Sequence, residues 1–165
     1  MREKEKSSRG NASQFFVAGE LCRRGYSAVV TLGNTPNTDI LCSDMAGTKF
    51  VHIQVKTFVP GNRTCSVGVK AELDFGHNFF WVLGGIPQPN STAAFECYVV
   101  PASVMAKHVS DTYRLWLKSP GMKGQSHKDN SVRTVHLPPY KSKYGHLDLS
   151  EYRNRWDLIE ERLGA

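Results

Sequence analysis

Between Ser13 and Arg24, Phe15, Ala18, Leu21 and Cys22 lie at the spacing of one helix face, with Asn11 or Ser13 able to cap the start and Gly25 able to take the left-handed turn that ends it. Tyr26 to Leu32, Thr38 to Asp44 and Lys49 to Val59 follow, each rich in Val, Ile, Thr or Phe and bounded by Gly, Asn or Pro, which predicts three strands. The link Met45-Ala46-Gly47-Thr48 is short and has a Gly where a positive φ is needed, so the second and third strands form a hairpin. Pro60-Gly61 stops the third strand. Phe79 to Ile86 and Ala94 to Val100 are apolar enough for buried strands. Val104, His108, Tyr113 and Leu117 have helical spacing within Ala102 to Leu117, and a last helix is expected from Ser150, its cap, through Tyr152, Trp156, Ile159 and Leu163 to Gly164. The sum is an α/β fold in which a helix precedes a mixed central sheet flanked by helices.

A chain of 165 residues predicts one domain spanning 1–165. Hydrophobic residues at 40% are too many for a disordered chain and too scattered for a membrane protein. The uncharged stretch Phe79 to Phe95 is interrupted by Pro87, Pro89, Asn90 and Ser91, which excludes a spanning helix there. Residues 1–10 alternate charges without an apolar run, so a mobile N-terminus with no signal peptide is expected, and the default compartment is the cytoplasm. Cys22, Cys42, Cys65 and Cys97 lie far apart with no short-range pair, which predicts free, mostly buried thiols.

Charge changes the picture more than composition does. The net charge is +6, and the stretch from Lys118 to His146 carries five of those six units through Lys118, Lys123, Lys128, Arg133, Lys141 and Lys143 against Asp129. Pro120, Gly121, Gly124, Pro138, Pro139 and Gly145 break any periodicity, so 118–146 is expected to be a long, irregular, basic loop. A solvated connection would have this composition; so would a strap that touches phosphates, with Tyr140 and Tyr144 stacking on bases or sugars. These six cations are therefore candidate nucleic-acid contacts.

The candidate chemistry lies in the hairpin. Alternation sends Val51, Ile53 and Val55 to one face and His52, Gln54 and Lys56 to the other. With Met45 to Thr48 as the loop, Asp44 stands opposite Lys49, Leu41 opposite His52, and Asp39 opposite Gln54. An acid, an amide and an ammonium then converge, with His52 on the same face as a candidate phosphate contact. No other histidine has the spacing of a metal ligand or a catalytic triad.

Thr38-Asp39, a strand, a short link and then Gln54-Val55-Lys56, all preceded by a helix carrying Gly19-Glu20-Leu21, resemble the PD-(D/E)XK nuclease superfamily, in particular its small Holliday-junction-resolvase-like and restriction-type members. The resemblance covers roughly Ser13 to Phe58 and implies a restriction endonuclease-like fold and Mg²⁺-dependent hydrolysis of DNA phosphodiesters, with Mn²⁺ able to substitute. Such a reaction needs a cation to offset charge developing on an already anionic ester and a group that positions water. By this resemblance Asp39 is the principal metal ligand, Gln54 stands where a second acid is usual, and the main-chain carbonyl of Val55 completes the protein ligands. Lys56 orients water and steadies charge at the phosphate. Glu20 holds metal-bound water or a second ion.

Three departures from the family pattern matter to different degrees. Thr38 replaces a Pro that serves backbone shape. Gln54 replaces a carboxylate, so cation affinity should fall unless Glu20 compensates. The crossover before the fourth strand has only Val69 to Asp74 as a helical candidate. The expectation is a structure-directed endodeoxyribonuclease working as a homodimer; the alternative is a non-catalytic nucleic-acid-binding module that keeps the nuclease fold, and an interaction protein without nucleic-acid contact is the third reading.

Overall fold

The computed structural model describes residues 3–32 and 35–164. In chain order these form α1 (Glu3–Arg23), β1 (Ser27–Val30), β2 (Ile40–Ser43), β3 (Phe50–Phe58), β4 (Thr64–Ser66), a 3-10 turn (Val69–Glu72), β5 (Phe79–Gly85), β6 (Glu96–Pro101), α2 (Ala102–Lys118), β7 (Thr134–His136), a second 3-10 turn (Leu149–Tyr152) and α3 (Asp157–Leu163). Five strands make one sheet in the order β1-β2-β3-β5-β6, with β3 and β5 parallel and the other pairs antiparallel, so the sheet is mixed as the pattern predicted.

The alternation along β3 divides the interior into two cores. Val51, Ile53 and Val55 face Val17, Ala18 and Leu21 of α1 and Ile159 of α3. On the opposite face Phe79, Trp81 and Leu83 of β5 pack with Met105 and Val109 of α2 and with Cys65, Ala71 and Val135. Each fully buried Leu, Ile or Val contributes about 1.5–3 kcal/mol over its exposed state, so the burial of one face of β3 and both faces of β5 is what holds the layers together. Close approach of α1 to the sheet depends on Gly84: a Cβ there would overlap Ser13 Oγ, and Ser13 is itself wholly buried.

The β2–β3 turn follows from its residues. Asp44 Oδ1 accepts from the backbone N–H of Thr48 (2.7 Å) and Lys49 (3.0 Å), Oδ2 accepts from Thr48 Oγ1 (2.7 Å), and Gly47 takes φ 66°. This fixes the register, in which Leu41 pairs with His52 and Ile40 with Ile53, as the loop length predicted.

Three expectations need correction. Helix α1 starts at Glu3 rather than near Ser13, because Glu, Lys and Arg are good helix formers even without an apolar stripe; of the expected mobile segment, residues 1 and 2 lie outside the described residues. The last helix begins at Asp157, since Arg153 bridges to Tyr98 and Asn154 takes φ 54°, and the preceding 3-10 turn is capped by Asp148, which accepts from Ser150 N (3.0 Å), not by Ser150. The segment 118–146 is not wholly irregular: β7 within it pairs antiparallel with β4. The thiols are free and mostly buried, as expected: Cys22 is exposed and the other three are buried, and burial raises Cys42 and Cys65 to about 12 and Cys97 higher still. No described helix is long and apolar enough to cross a membrane.

Candidate functional site

Strand β2 begins at Ile40, and Asp39 lies just outside its ladder. The Asp39 N–H bonds the Ile53 carbonyl at 2.9 Å, offset by one residue from the ladder, and the irregularity turns the side chain back onto β3. Asp39 Oδ2 there accepts from the Val55 N–H at 2.7 Å and from Gln54 Nε2. Both bonds reach one oxygen, which leaves Oδ1 without a partner among the described residues. Burial raises the Asp39 carboxyl above its ordinary range, opposed by the Val55 N–H, the charge of Lys56 and the Gln54 amide, in that order.

Gln54 and Lys56 share the β3 face that carries Trp81 of the neighbouring strand, and both are half-buried. Lys56 Nζ lies 5.9 Å from the centroid of the Trp81 ring, so its charge rests over an aromatic face and no ion pair joins it to Asp39 among the described residues. His52, two residues before Gln54 on the same face, is exposed; its Nδ1 is 3.2 Å from Thr38 Oγ1. Thr31 Oγ1 donates to the Thr38 carbonyl at 2.6 Å and anchors the turn beside Asp39. A cavity of about 370 Å³ opens here, lined by Thr38, His52, Asn37, Leu41 and Phe79 among others. Asn37 and Thr31 were missed by sequence reasoning, although Pro36-Asn37 is a turn signal and Asn37 does take the left-handed φ of 59°.

The structure does not bring Glu20 to this group. Helix α1 covers the face of Val51, Ile53 and Val55, opposite Gln54 and Lys56. The Glu20 carboxylate accepts from Arg23 (Nε and Nη2, both 2.8 Å) and Arg24 Nε (2.8 Å), and Arg24 continues to Glu160 at 2.9 Å. The Arg23 hydrogen bonds lead the causes that hold Glu20 below the usual carboxylate range. It acts as the centre of an ion-pair network joining α1 to α3.

The basic residues also divide. Lys118, Lys123, Lys128, Lys141 and Lys143 are exposed, with Lys141 paired to Asp148 at 2.7 Å. Arg133 departs from expectation, being only 8% exposed and so buried from any strand outside. It pairs with Glu72, donates to the Asn130 carbonyl at 2.6 Å and lies 3.1 Å from the Tyr113 ring centroid, a structural tie rather than a phosphate contact.

For a cation, the β2–β3 group offers one carboxylate, the Gln54 amide and the Val55 carbonyl. These are hard oxygen donors, and the free Oδ1 of a half-buried carboxylate suits an ion that retains most of its waters. Gln54 now presents its N–H to Asp39, so its Oε1 reaches an ion only if the amide turns over. No group of three His, Cys, Asp or Glu placed to share an ion occurs among the described residues.

No protein-family model matches the sequence, and no curated protein does either. The fold is similar to that of a solved structure, the bacterial homing endonuclease I-Ssp6803I, with a TM-score of 0.56 over 94% of this chain and 92% of that one, at 19% identity.

Proposed function

We propose that this chain is a metal-dependent endonuclease that hydrolyses DNA phosphodiesters, directed by the structure of its target rather than by base sequence. The observation that carries the proposal is the cluster in which Asp39 binds Val55 N–H and Gln54 while Lys56 stands one step along the same strand face. The PD-(D/E)XK-like order of these residues and the fold shared with a homing endonuclease support it. Asp39 would hold Mg²⁺ or Mn²⁺ through its carboxylate, Gln54 through Oε1 and Val55 through its carbonyl oxygen. The ion, when bound, would offset charge building on the phosphorane and acidify a coordinated water. Lys56 keeps an ammonium beside that carboxylate, where it draws the phosphate in and orients a water for attack. His52, exposed on the same face beside a cavity, is placed to donate to a neighbouring phosphate oxygen. One such site cuts one strand, so two copies, arranged as a homodimer, would be needed to cut a duplex.

A second reading is favoured by a specific observation: Gln54 is neutral and donates to Asp39, while Glu20 is held on the opposite face by two arginines. The chain would then bind nucleic acid without turnover.

One experiment separates the two. Plasmid, single-stranded and branched DNA are incubated with the protein in Mg²⁺ or Mn²⁺. Cleavage that falls by about 10²-fold or more in Asp39→Ala and in Lys56→Ala is the expected result. Cleavage indifferent to both substitutions overturns the proposal. Salt-sensitive DNA binding without cleavage, together with no gain in Mn²⁺ affinity in Gln54→Glu, establishes the second reading.

A further inference from the structure

Helix α2 and the basic strap enclose a cavity of about 520 Å³, lined from the helix by Thr112, Tyr113 and Trp116 and from the strap by His136, Lys143 and Tyr144, among others. This volume lies within the span of about 300–1,000 Å³ typical of small-ligand sites. The wall is aromatic on the helix side: Tyr113 and Trp116 stack with centroids 5.3 Å apart, and the column is closed by His127 at 4.1 Å from Trp116 and by the Arg133 guanidinium at 3.1 Å from the Tyr113 centroid, so it offers ring edges rather than open faces. Its charge is one-sided. Arg133, Lys141 and Lys143 line it and no carboxylate does. Arg133 is committed to Glu72, and Lys141 is 70% exposed in its pair with Asp148, an ion pair of the kind that costs little to exchange. Lys143 Nζ rests 4.6 Å from the Tyr144 ring centroid, at the cavity edge.

Two further groups are set up for a polar ligand. Thr112 Oγ1 is buried with no hydrogen-bond partner at the cavity's margin, covered by Gly145 beside His108, so a ligand reaches it only if Gly145 gives way. Burial, aided by the charge of Arg63, keeps His136 below its usual pKa, so at neutral pH its ring offers one donor and one acceptor.

We infer that this cavity binds one nucleoside monophosphate unit, its base along the ring edges of Tyr113 and Trp116 and against Tyr144, its phosphate at Lys143 and Lys141. An aromatic slot that carries cations and lacks anions is complementary to a flat ring joined to a phosphate; a neutral aromatic would leave the lysines unused, and inorganic phosphate would leave the rings unused. The inference leans on the nuclease proposal only for the source of the unit, an unpaired nucleotide in a strand rather than a free one.

The test uses the full chain without divalent cations, so that no strand is cut. Trp116 is the reporter, because Trp81 and Trp156 are only 1% and 3% exposed. Titration with dAMP and with a six-nucleotide single strand should give saturable quenching of tryptophan fluorescence, absent in Trp116→Phe. Affinity should fall at least tenfold in Lys143→Ala and severalfold in Thr112→Val, variants that change an exposed side chain and a near-isosteric one, with unfolding midpoints measured alongside. Quenching by both ligands alike identifies a free nucleotide as sufficient, and quenching by the strand alone identifies a nucleotide held within a chain; both support the site. No saturable quenching by either, or affinities unaltered in both variants, overturns it. Asp39→Ala should leave the quenching intact, so loss of the cavity site with Asp39-dependent cleavage preserved refutes this inference alone, and the converse refutes only the nuclease proposal.

Discussion

At the scale of single residues, Asp39 holds a charge in a position that burial disfavours. Its carboxyl titrates above the ordinary value because desolvation outweighs the hydrogen bonds it accepts. A carboxyl whose folded pKa is raised binds its proton more tightly folded than unfolded, so it supports folding at low pH and loses that contribution as pH rises through the folded value. Asp39→Asn keeps an acceptor for Val55 N–H and removes the charge. Its Tm should match that of the parent near pH 3 and exceed it at pH 7. A difference constant across pH would mean that the charge is not the cause. Sites that gather charge for a ligand commonly carry such a cost in stability.

At the scale of elements, one of the contacts through which α1 rests on the sheet has no tolerance. Ser13 Oγ lies where a side chain on Gly84 would begin, and that hydroxyl has no partner among the described residues. Gly84→Ala should therefore destabilise by about 1–3 kcal/mol in urea unfolding, the usual range for overpacking. Combined with Ser13→Ala the same substitution should be nearly neutral, since Ser13 Cβ lies 3.4 Å from the place a methyl on residue 84 would take, an ordinary contact. Additive effects of the two changes would refute this account. The other face of the same sheet works differently, because β3 keeps alternate polar residues there and leaves room for Gln54 and Lys56.

At the scale of the whole molecule, Arg133 joins three parts of the chain that are distant in sequence: the strap that carries it, the crossover turn that carries Glu72, and Tyr113 of α2. Removing one partner of a largely buried pair leaves the other uncompensated. Arg133→Gln should lower stability by about 2–4 kcal/mol in a denaturant titration, on the scale of breaking such a pair, while leaving the salt slope of DNA binding unchanged. Lys123→Ala, on an exposed side chain, should lower that slope by about one phosphate contact and leave stability alone. A fall in slope for Arg133→Gln would return that residue to the interface.

Much of this is legible in the sequence. The alternation along Phe50–Phe58 and the four-residue link determine which side chains share a face and which residues pair, because both depend on neighbours in the chain. That Asp39 meets Gln54 follows from counting along the hairpin, and the fold class follows from the order of periodic segments. The roles of Glu20 and Arg133 and the β4–β7 pairing are not legible there. A helical glutamate looks the same whichever face of a sheet its helix covers, and an arginine in a basic loop carries no mark of the glutamate 61 residues away that it pairs with. Short-range periodicity decides local conformation and hairpin register; which charges are neutralised and which stay available is decided only when separate segments pack, since desolvation and ion pairing depend on distance in space rather than along the chain.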